Sequence, residues 1–487
     1  MTSPVPTRTA DALRAEGEPP PGPLKLSDLT SIGIGQAVGA GLITLIGPAI
    51  LLTGQSAWLM YVVAVFWGFA MICPIPWITS ALRLDGGFYS LVAALGGRRL
   101  AGMFALGYLP QAINGSVYGV AAGMYAHALW PALSPVLVGT VFLVIFFVIN
   151  LLGVSVMAKT QKVLVVIMAI ALLTFAVGGL MNVQNPVFDV TMPDFFTDGW
   201  NGAFAAVMLF VYSTNGYSCI MNYGRDAADA RRDIPRAMFL CVPALVLVYG
   251  LIAIVATGVL PIEEVAGQPL TYVAERVLAP SLFVLFMLGG PLLELSTSIN
   301  STYTNNWKPI AQSCRDGWLP AWLATENRFG VPWKILTFSF VMAVLPVLLS
   351  FSVQVVVSSL MLVASACAFV QIFAYYQLPR KFPRSWRSAR LHVPDPVYYA
   401  IVTVSLLAYI GVFVNSLRTL TPTLLIVGLS AIVVCMAYGI VRSRSSRIVI
   451  QPSLWGHPED HLDAATMFGA QDEARTEGTT TDEEVLR

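Results

Sequence analysis

Apolar residues along the chain gather into long runs separated by short polar stretches, at about 29–54, 57–82, 100–130, 134–153, 160–181, 199–222, 237–260, 279–306, 334–352, 354–379, 396–417 and 421–442. A helix needs roughly 20 apolar residues to cross a bilayer, so the pattern predicts twelve transmembrane spans. Most runs are apolar on all sides, with Gly, Ser and Thr scattered through them. That is the pattern of bundle helices packed through small residues, not of amphipathic surface helices. The expected fold class is an all-α polytopic membrane protein. Its spans take up about 240 residues and fit between residues 27 and 442 with ordinary loops to spare.

Composition agrees. Of 487 residues, 28 are Lys or Arg and 27 are Asp or Glu, 11% in all, where soluble domains carry about 25%. Twenty of these charges fall in residues 1–28 and 443–487, which leaves the middle of the chain lipid-compatible and excludes a single soluble enzyme domain. The net charge of +1 offers no basic field, so nucleic acid is excluded as a partner. Cys73, Cys219, Cys241, Cys314, Cys367 and Cys435 form no C-x-x-C pair, and His127, His392, His457 and His461 are far apart. No disulfide framework, metal site, cofactor or catalytic constellation is expected.

Charge also sets the orientation. With the N-terminus inside and twelve spans, 26 of the 28 basic residues lie in inside segments and only Arg276 and Arg418 lie outside. Both termini are expected to face the cytoplasm, in a multi-pass protein of the cell (inner) membrane. Residues 1–26, rich in proline and without a signal-peptide core, read as a disordered tail. Residues 443–487 read as an acidic cytoplasmic tail, solvated after Trp455, where nine acids fall.

Two spans carry a break that packing alone does not require. The first contains Gly33-Ile34-Gly35-Gln36-Ala37-Val38-Gly39-Ala40-Gly41, and the sixth contains Tyr212-Ser213-Thr214-Asn215-Gly216-Tyr217-Ser218. Each Gly costs a helix interior about 1 kcal/mol relative to Ala. Unwound backbone at membrane depth persists only where protein or a water-filled cavity satisfies it. The simpler reading is small residues for close helix contact. Breaks in spans 1 and 6 occupy corresponding positions of two five-helix halves, which points to an inverted-repeat secondary transporter with spans 11 and 12 added.

At these residues the chain resembles the amino acid-polyamine-organocation (APC) superfamily, whose members have the LeuT-like fold. The family's Gly-x-Gly-x-x-x-Gly-[Ala/Ser]-Gly is matched from Gly33 to Gly41, followed by Leu42-Ile43 where Ile-Phe is common. Gly86-Gly87-Phe88-Tyr89 follows span 2, and Arg315-Asp316-Gly317-Trp318-Leu319-Pro320 follows span 8. After span 6, Asp229-Ala230-Arg231-Arg232-Asp233-Ile234-Pro235-Arg236-Ala237 matches a family pattern that begins Asn-Pro.

The resemblance implies that a substrate carboxylate rests on the N–H groups of Gly39, Ala40 and Gly41. It also implies that the amino group meets carbonyls of the two breaks, around Ser213, Asn215, Gly216 and Ser218. Tyr217 resembles the family's aromatic gate. Ser218 stands where many relatives carry an acid, and Met168 where several carry a coupling lysine. Glu294 in span 8 is the unpaired acid deep in the spans, on a stripe with Thr297, Ser298, Ser301 and Asn305. Glu294 and Ser298 are therefore the ion-coupling candidates, and Thr302 on the same span a substrate-lining one. A permanently protonated Glu294 making a structural hydrogen bond is the plainer alternative. Tyr108, Gln111, Asn114, Ser116 and Tyr118 of span 3 are further candidates for the lining.

The function expected is alternating-access transport of a small neutral amino acid, with a proton or sodium as coupling ion. A polyamine or organocation transporter or exchanger, and a non-transporting membrane sensor on the same fold, are the alternatives.

Overall fold

The structure is a computed structural model that describes residues 21–445 apart from 40, 215 and 352, together with 448–450 and 454–455. The first apolar run is two helices, α1 (Leu26–Ala37) and α2 (Gly41–Thr53). Helix α1 ends at Val38 (φ −72°, ψ 77°), after which the Gly39 N–H turns back onto the Ala37 carbonyl at 2.8 Å. A turn at Gly54, where φ is +67°, reverses the chain into α3 (Ala57–Ile72) and α4 (Pro74–Ala81).

Helix α5 (Gly87–Gly107) kinks at Gly97, a 3-10 stretch follows at Leu109–Asn114, and α6 (Gly115–Leu129) completes the third run. The sequence reading took 100–130 as one helix. Pro110 lacks the N–H that a continuous helix would use there, and the chain tightens into 3-10 geometry at that point.

Then come α7 (Pro135–Leu151), α8 (Val154–Leu180) and α9 (Gly199–Thr214), the last followed by a 3-10 segment at Gly216–Tyr223. Helix α10 (Ala230–Gly258) is capped by the Asp229 carboxylate, which accepts from the Arg232 N–H at 3.2 Å. Beyond it lie α11 (Leu270–Val277), α12 (Pro280–Met287) and a π-helical turn at Leu288–Leu292, where Pro291 interrupts the regular ladder. The chain continues as α13 (Leu293–Arg315), α14 (Trp333–Leu348), α15 (Val353–Tyr375), α16 (Asp395–Thr419) and α17 (Pro422–Arg442).

Among the described residues, six helical runs are long and apolar enough to cross a membrane: Leu45–Ile72, Val154–Leu180, Gly199–Tyr223, Ala230–Gly258, Pro280–Arg315 and Asp395–Arg418. The first of these bends at Gly54 and is two arms. Shorter apolar helices include Pro135–Leu151 and Trp333–Leu348. The outward face of α8 is a stripe of exposed Val163, Val166, Ile170 and Val177, and α7 shows Leu137, Val141, Ile145 and Val148 in the same way. Apolar faces of this extent belong against lipid.

Helix α13 is the reverse case, because its Glu294, Thr297, Ser298, Asn300, Ser301, Thr302 and Thr304 are all buried. Several of its polar groups bond neighbouring helices. Asn300 donates to Gln161 Oε1 of α8 at 2.8 Å, and Thr304 donates to Asn150 Oδ1 of α7 at 2.7 Å. A polar helix thus stands inside an apolar bundle, packed against α1, α7, α8 and α14.

A small antiparallel pair joins β1 (Arg83–Leu84) to β2 (Leu454–Trp455). Arg98 donates to the Ser445 carbonyl at 2.7 Å, and the Val449 N–H donates to Asp316 O at 3.2 Å. The part of 443–455 that is described therefore packs on the loops after α4 and α13. Residues 1–20 and 456–487, the bulk of the two expected tails, lie outside the described residues.

Candidate functional site

The breaks between α1 and α2 and between α9 and its 3-10 segment meet in the interior. A Cβ on Gly216 would stand 2.4 Å from the Gln36 carbonyl oxygen and 2.7 Å from Ala37 Cα, and a Cβ on Gly41 would stand 2.5 Å from Ser213 Cβ. Only glycine lets the two backbones approach this closely. On the third side, a Cβ on Gly39 would stand 2.6 Å from Ser298 Oγ, and that hydroxyl donates to the Gly35 carbonyl at 3.2 Å. Gly39, Gly41, Ser213, Gly216 and Ser298 are thus brought together. Ala40 and Asn215, also expected here, lie outside the described residues.

Two tyrosines tie the breaks to the rest of the bundle. The Tyr249 hydroxyl of α10 donates to the Ala37 carbonyl at 2.8 Å and lies 3.0 Å from the Ser213 carbonyl, while Tyr61 of α3 bonds Ser213 Oγ at 3.0 Å. Free carbonyls at the end of α1 are therefore partly occupied by side chains. Neither tyrosine shows in the sequence, because each sits in an apolar run with no periodic signal.

Gln36 is the residue that sequence reasoning overlooked. Its carboxamide oxygen accepts from Ser301 Oγ and from Thr302 Oγ1, the latter at 3.2 Å, and its Nε2 donates to the Tyr118 hydroxyl at 3.2 Å. One amide thereby joins α1 to α13 and α6 beside the break. A lone amide within a glycine cluster at membrane depth was a legible signal. Thr302 is set beside the break through this contact. Tyr212 joins the same cluster, its hydroxyl facing that of Tyr118.

Tyr217 differs from its expected role. It is fully buried, its hydroxyl has no hydrogen-bond partner among the described residues, and the titratable groups acting on it are Cys241 of α10 and Cys73 between α3 and α4. The tyrosine set beside Tyr118 in the Gln36 cluster is Tyr212. Ser218 is half-buried on the same segment.

Glu294 lies one helical turn from Ser298 on α13. It is 1% exposed, and neither carboxyl oxygen has a hydrogen-bond partner among the described residues. The backbone donor facing it, the Leu42 N–H in the first turn of α2, donates to the Gly39 carbonyl at 3.1 Å. The sequence reading put Glu294 about 12 Å from Thr302 along the helix and remote from the substrate. The structure also sets it near the start of α2, one turn along α13 from Ser298, whose hydroxyl reaches the end of α1 and the break. Met168 occupies the α8 position facing Thr297, whose hydroxyl lies 4.0 Å from its sulfur.

At the other end of α13 the bundle is tied shut. Asn222 of the 3-10 segment donates to Asn305 Oδ1, and Lys308 pairs with Asp226 while its ammonium stands 3.9 Å above the Tyr223 ring. Residues 22–24 pair with 226–228 through Leu24 N–H to Asp226 O at 2.9 Å and Ala228 N–H to Leu24 O at 2.8 Å. A cavity of about 420 Å3, lined by Lys308, Asp226, Arg315 and Glu326 among others, opens beside this tie.

The sequence pattern of the family described as "Amino acid permease" matches residues 24–436. An uncharacterized transporter of Mycobacterium tuberculosis is 27% identical over 322 residues, which is 64% of this chain and 70% of the relative. The D-serine/D-alanine/glycine transporter of Escherichia coli is 23% identical over 410 residues, 80% of this chain and 86% of the relative. The branched-chain amino acid permease of Bacillus subtilis is 22% identical over 261 residues, 49% of this chain and 55% of the relative.

Proposed function

The chain belongs to the amino acid permease family, and from that premise we propose that it moves a small neutral amino acid across the cell membrane by alternating access, coupled to a proton. It is a membrane transporter and not an enzyme. In this reading residues 27–442 form twelve spans, the first ten as a five-plus-five inverted repeat, with both termini in the cytoplasm.

The observation that carries the reading is the contact of the two helix breaks, Gly216 against Gln36 and Gly41 against Ser213. A half-helix N-terminus presents unpaired N–H groups and roughly half a positive charge to an anion, which suits a substrate carboxylate at Gly39–Gly41. Carbonyls at the end of α1 and the start of the 3-10 segment suit its ammonium. Gln36, Tyr118, Tyr212 and Thr302 line the remaining side with neutral polar groups, which favours a neutral substrate side chain over a cationic one. Glu294 is the group whose protonation is linked to transport, with Ser298 beside it. Names of relatives support the substrate class, since one carries D-serine, D-alanine and glycine in its name and another branched-chain amino acids.

The test is uptake of labelled alanine, serine and leucine by the purified protein in sealed vesicles, beside a thermal-shift screen that includes arginine and putrescine. A ligand at 100 times its Kd adds about 2.7 kcal/mol of stability. Saturable uptake of the neutral amino acids is expected. Binding without uptake makes the protein a sensor, and stronger binding of putrescine or arginine makes it an organocation carrier.

A further inference from the structure

The first turn of α2 has N–H groups with no partner inside the helix, and it is the positive end of a 13-residue dipole. Glu294 stands near it, one turn along α13 from Ser298, the residue that meets Gly39; it is 1% exposed, its carboxyl oxygens have no hydrogen-bond partner among the described residues, and the facing Leu42 N–H is turned to the Gly39 carbonyl at 3.1 Å. The other titratable groups near this carboxyl are Tyr61 of α3, Tyr125 of α6 and Tyr249 of α10. Tyr61 and Tyr249 already bond Ser213 and the Ala37 carbonyl, whereas the buried Tyr125 hydroxyl has no hydrogen-bond partner among the described residues. Helix α8 contributes Met168, which carries no charge, and no Lys, Arg or His is among the groups acting on Glu294.

We propose that the N-terminus of α2 is a single anion seat, occupied by the Glu294 carboxylate when the site is empty and by the substrate carboxylate when it is filled. The exchange requires Glu294 to take up a proton. This deepens the reading of the chain as a carrier of neutral amino acids and rests on it. About half a positive charge cannot balance two carboxylates in a dry interior, where like charges at contact distance repel far more strongly than in water. A zwitterion arriving with its carboxylate therefore binds together with one proton, which ends on a Glu294 oxygen. The loaded site carries the zwitterion and a neutral acid, and each cycle moves one positive charge. A substrate that lacks the carboxylate leaves the seat to Glu294 and needs no proton.

Linkage fixes the sign. If the protonated form binds the carboxylate, the carboxylate favours protonation by the same factor, so affinity for an amino acid rises as pH falls. The change is about tenfold per pH unit over the range in which the empty site is ionised.

The experiment is calorimetric titration of the purified protein with alanine, serine and leucine, and with ethylamine, ethanolamine and 3-methylbutylamine, the same molecules without the carboxylate. Running each in two buffers of different ionisation enthalpy counts protons directly on the wild-type chain. Uptake of close to one proton per amino acid and none per amine is expected. In Glu294→Gln, amino acid binding should persist with its pH slope flattened. Amino acid binding without proton uptake overturns the shared seat and leaves the transporter reading standing. Binding by none of the three amino acids overturns the substrate reading, and the shared seat with it.

Discussion

Gly216 approaches Gln36 so closely that a Cβ on it would stand 2.4 Å from the Gln36 carbonyl oxygen. The atom in the way is backbone, which cannot swing aside as a flexible side chain would. Gly216→Ala should therefore push the two breaks apart, at a cost of about 1–3 kcal/mol of overpacking, and should lower uptake by about tenfold or more while some protein still reaches the membrane. Gly41→Val, with Ser213 Cβ 2.5 Å from the added carbon, should do the same. Uptake per molecule of membrane protein, in both variants, checks this. Near-normal transport would mean that the breaks do not need contact.

Four Gly in nine residues made the first break legible in the sequence, and the polar run Ser213-Thr214-Asn215-Gly216 the second, since both are hard to reconcile with a continuous helix. Gln36 was equally visible, as a lone amide among them. The cross-connections were not legible: Tyr61 and Tyr249 look like any aromatic in an apolar run, and their role appears only when α3 and α10 fold against the breaks. Tyr217 was misplaced because adjacency to a glycine in sequence does not say which way a ring points on a 3-10 turn, where three residues complete a revolution. The neighbourhood of Glu294 was not legible from distances along α13 alone, because the break after α1 sets the start of α2 near it.

Tyr217 and Tyr212 should separate on mutation. The Tyr217 hydroxyl is buried without a hydrogen-bond partner among the described residues, so Tyr217→Phe should leave transport intact and raise stability slightly, by about 1 kcal/mol or less. Tyr212→Ala should weaken substrate binding, because its ring is the one beside Tyr118 and the Gln36 cluster. Kd and melting temperature for both variants decide. A Tyr217→Phe chain that no longer binds would restore Tyr217 as a ligand.

Gln36→Ala strands Ser301, Thr302 and Tyr118 at once. Each buried group left unsatisfied costs about 1–3 kcal/mol, less where a hydroxyl can turn to a helix carbonyl, as Ser301 can toward Thr297 O at 3.0 Å. The loss should appear both as a lower melting temperature and as a weaker Kd, whereas Gln36→Glu, which keeps the acceptor toward Ser301 and Thr302, should lose less stability. Equal melting temperatures for Gln36→Ala and wild type would show that the amide does not join α1 to α13 and α6.

The tie at the far end of α13 gives the most discriminating double-mutant test. The Lys308 side chain is 4% exposed and that of Asp226 19%, so the pair is largely desolvated, and the Tyr223 face 3.9 Å from the ammonium adds a weaker attraction. Removing one partner of a buried pair leaves the other charge uncompensated, at about 3–5 kcal/mol, while replacing both by neutral groups is often nearly harmless. Asp226→Asn alone should therefore destabilise strongly, and Asp226→Asn combined with Lys308→Met should recover most of the loss in thermal unfolding. Transport should separate from stability in the double variant: with the ends of α13 and the 3-10 segment no longer held by charge, that face should open more readily. A cysteine placed at Ala311, which lines the cavity beside the tie, should then react faster with a membrane-impermeant thiol reagent than in the otherwise wild-type chain. Recovery of stability without faster labelling would make the pair a structural contact only. Strictly additive destabilisation would mean that Lys308 and Asp226 do not act on each other at all.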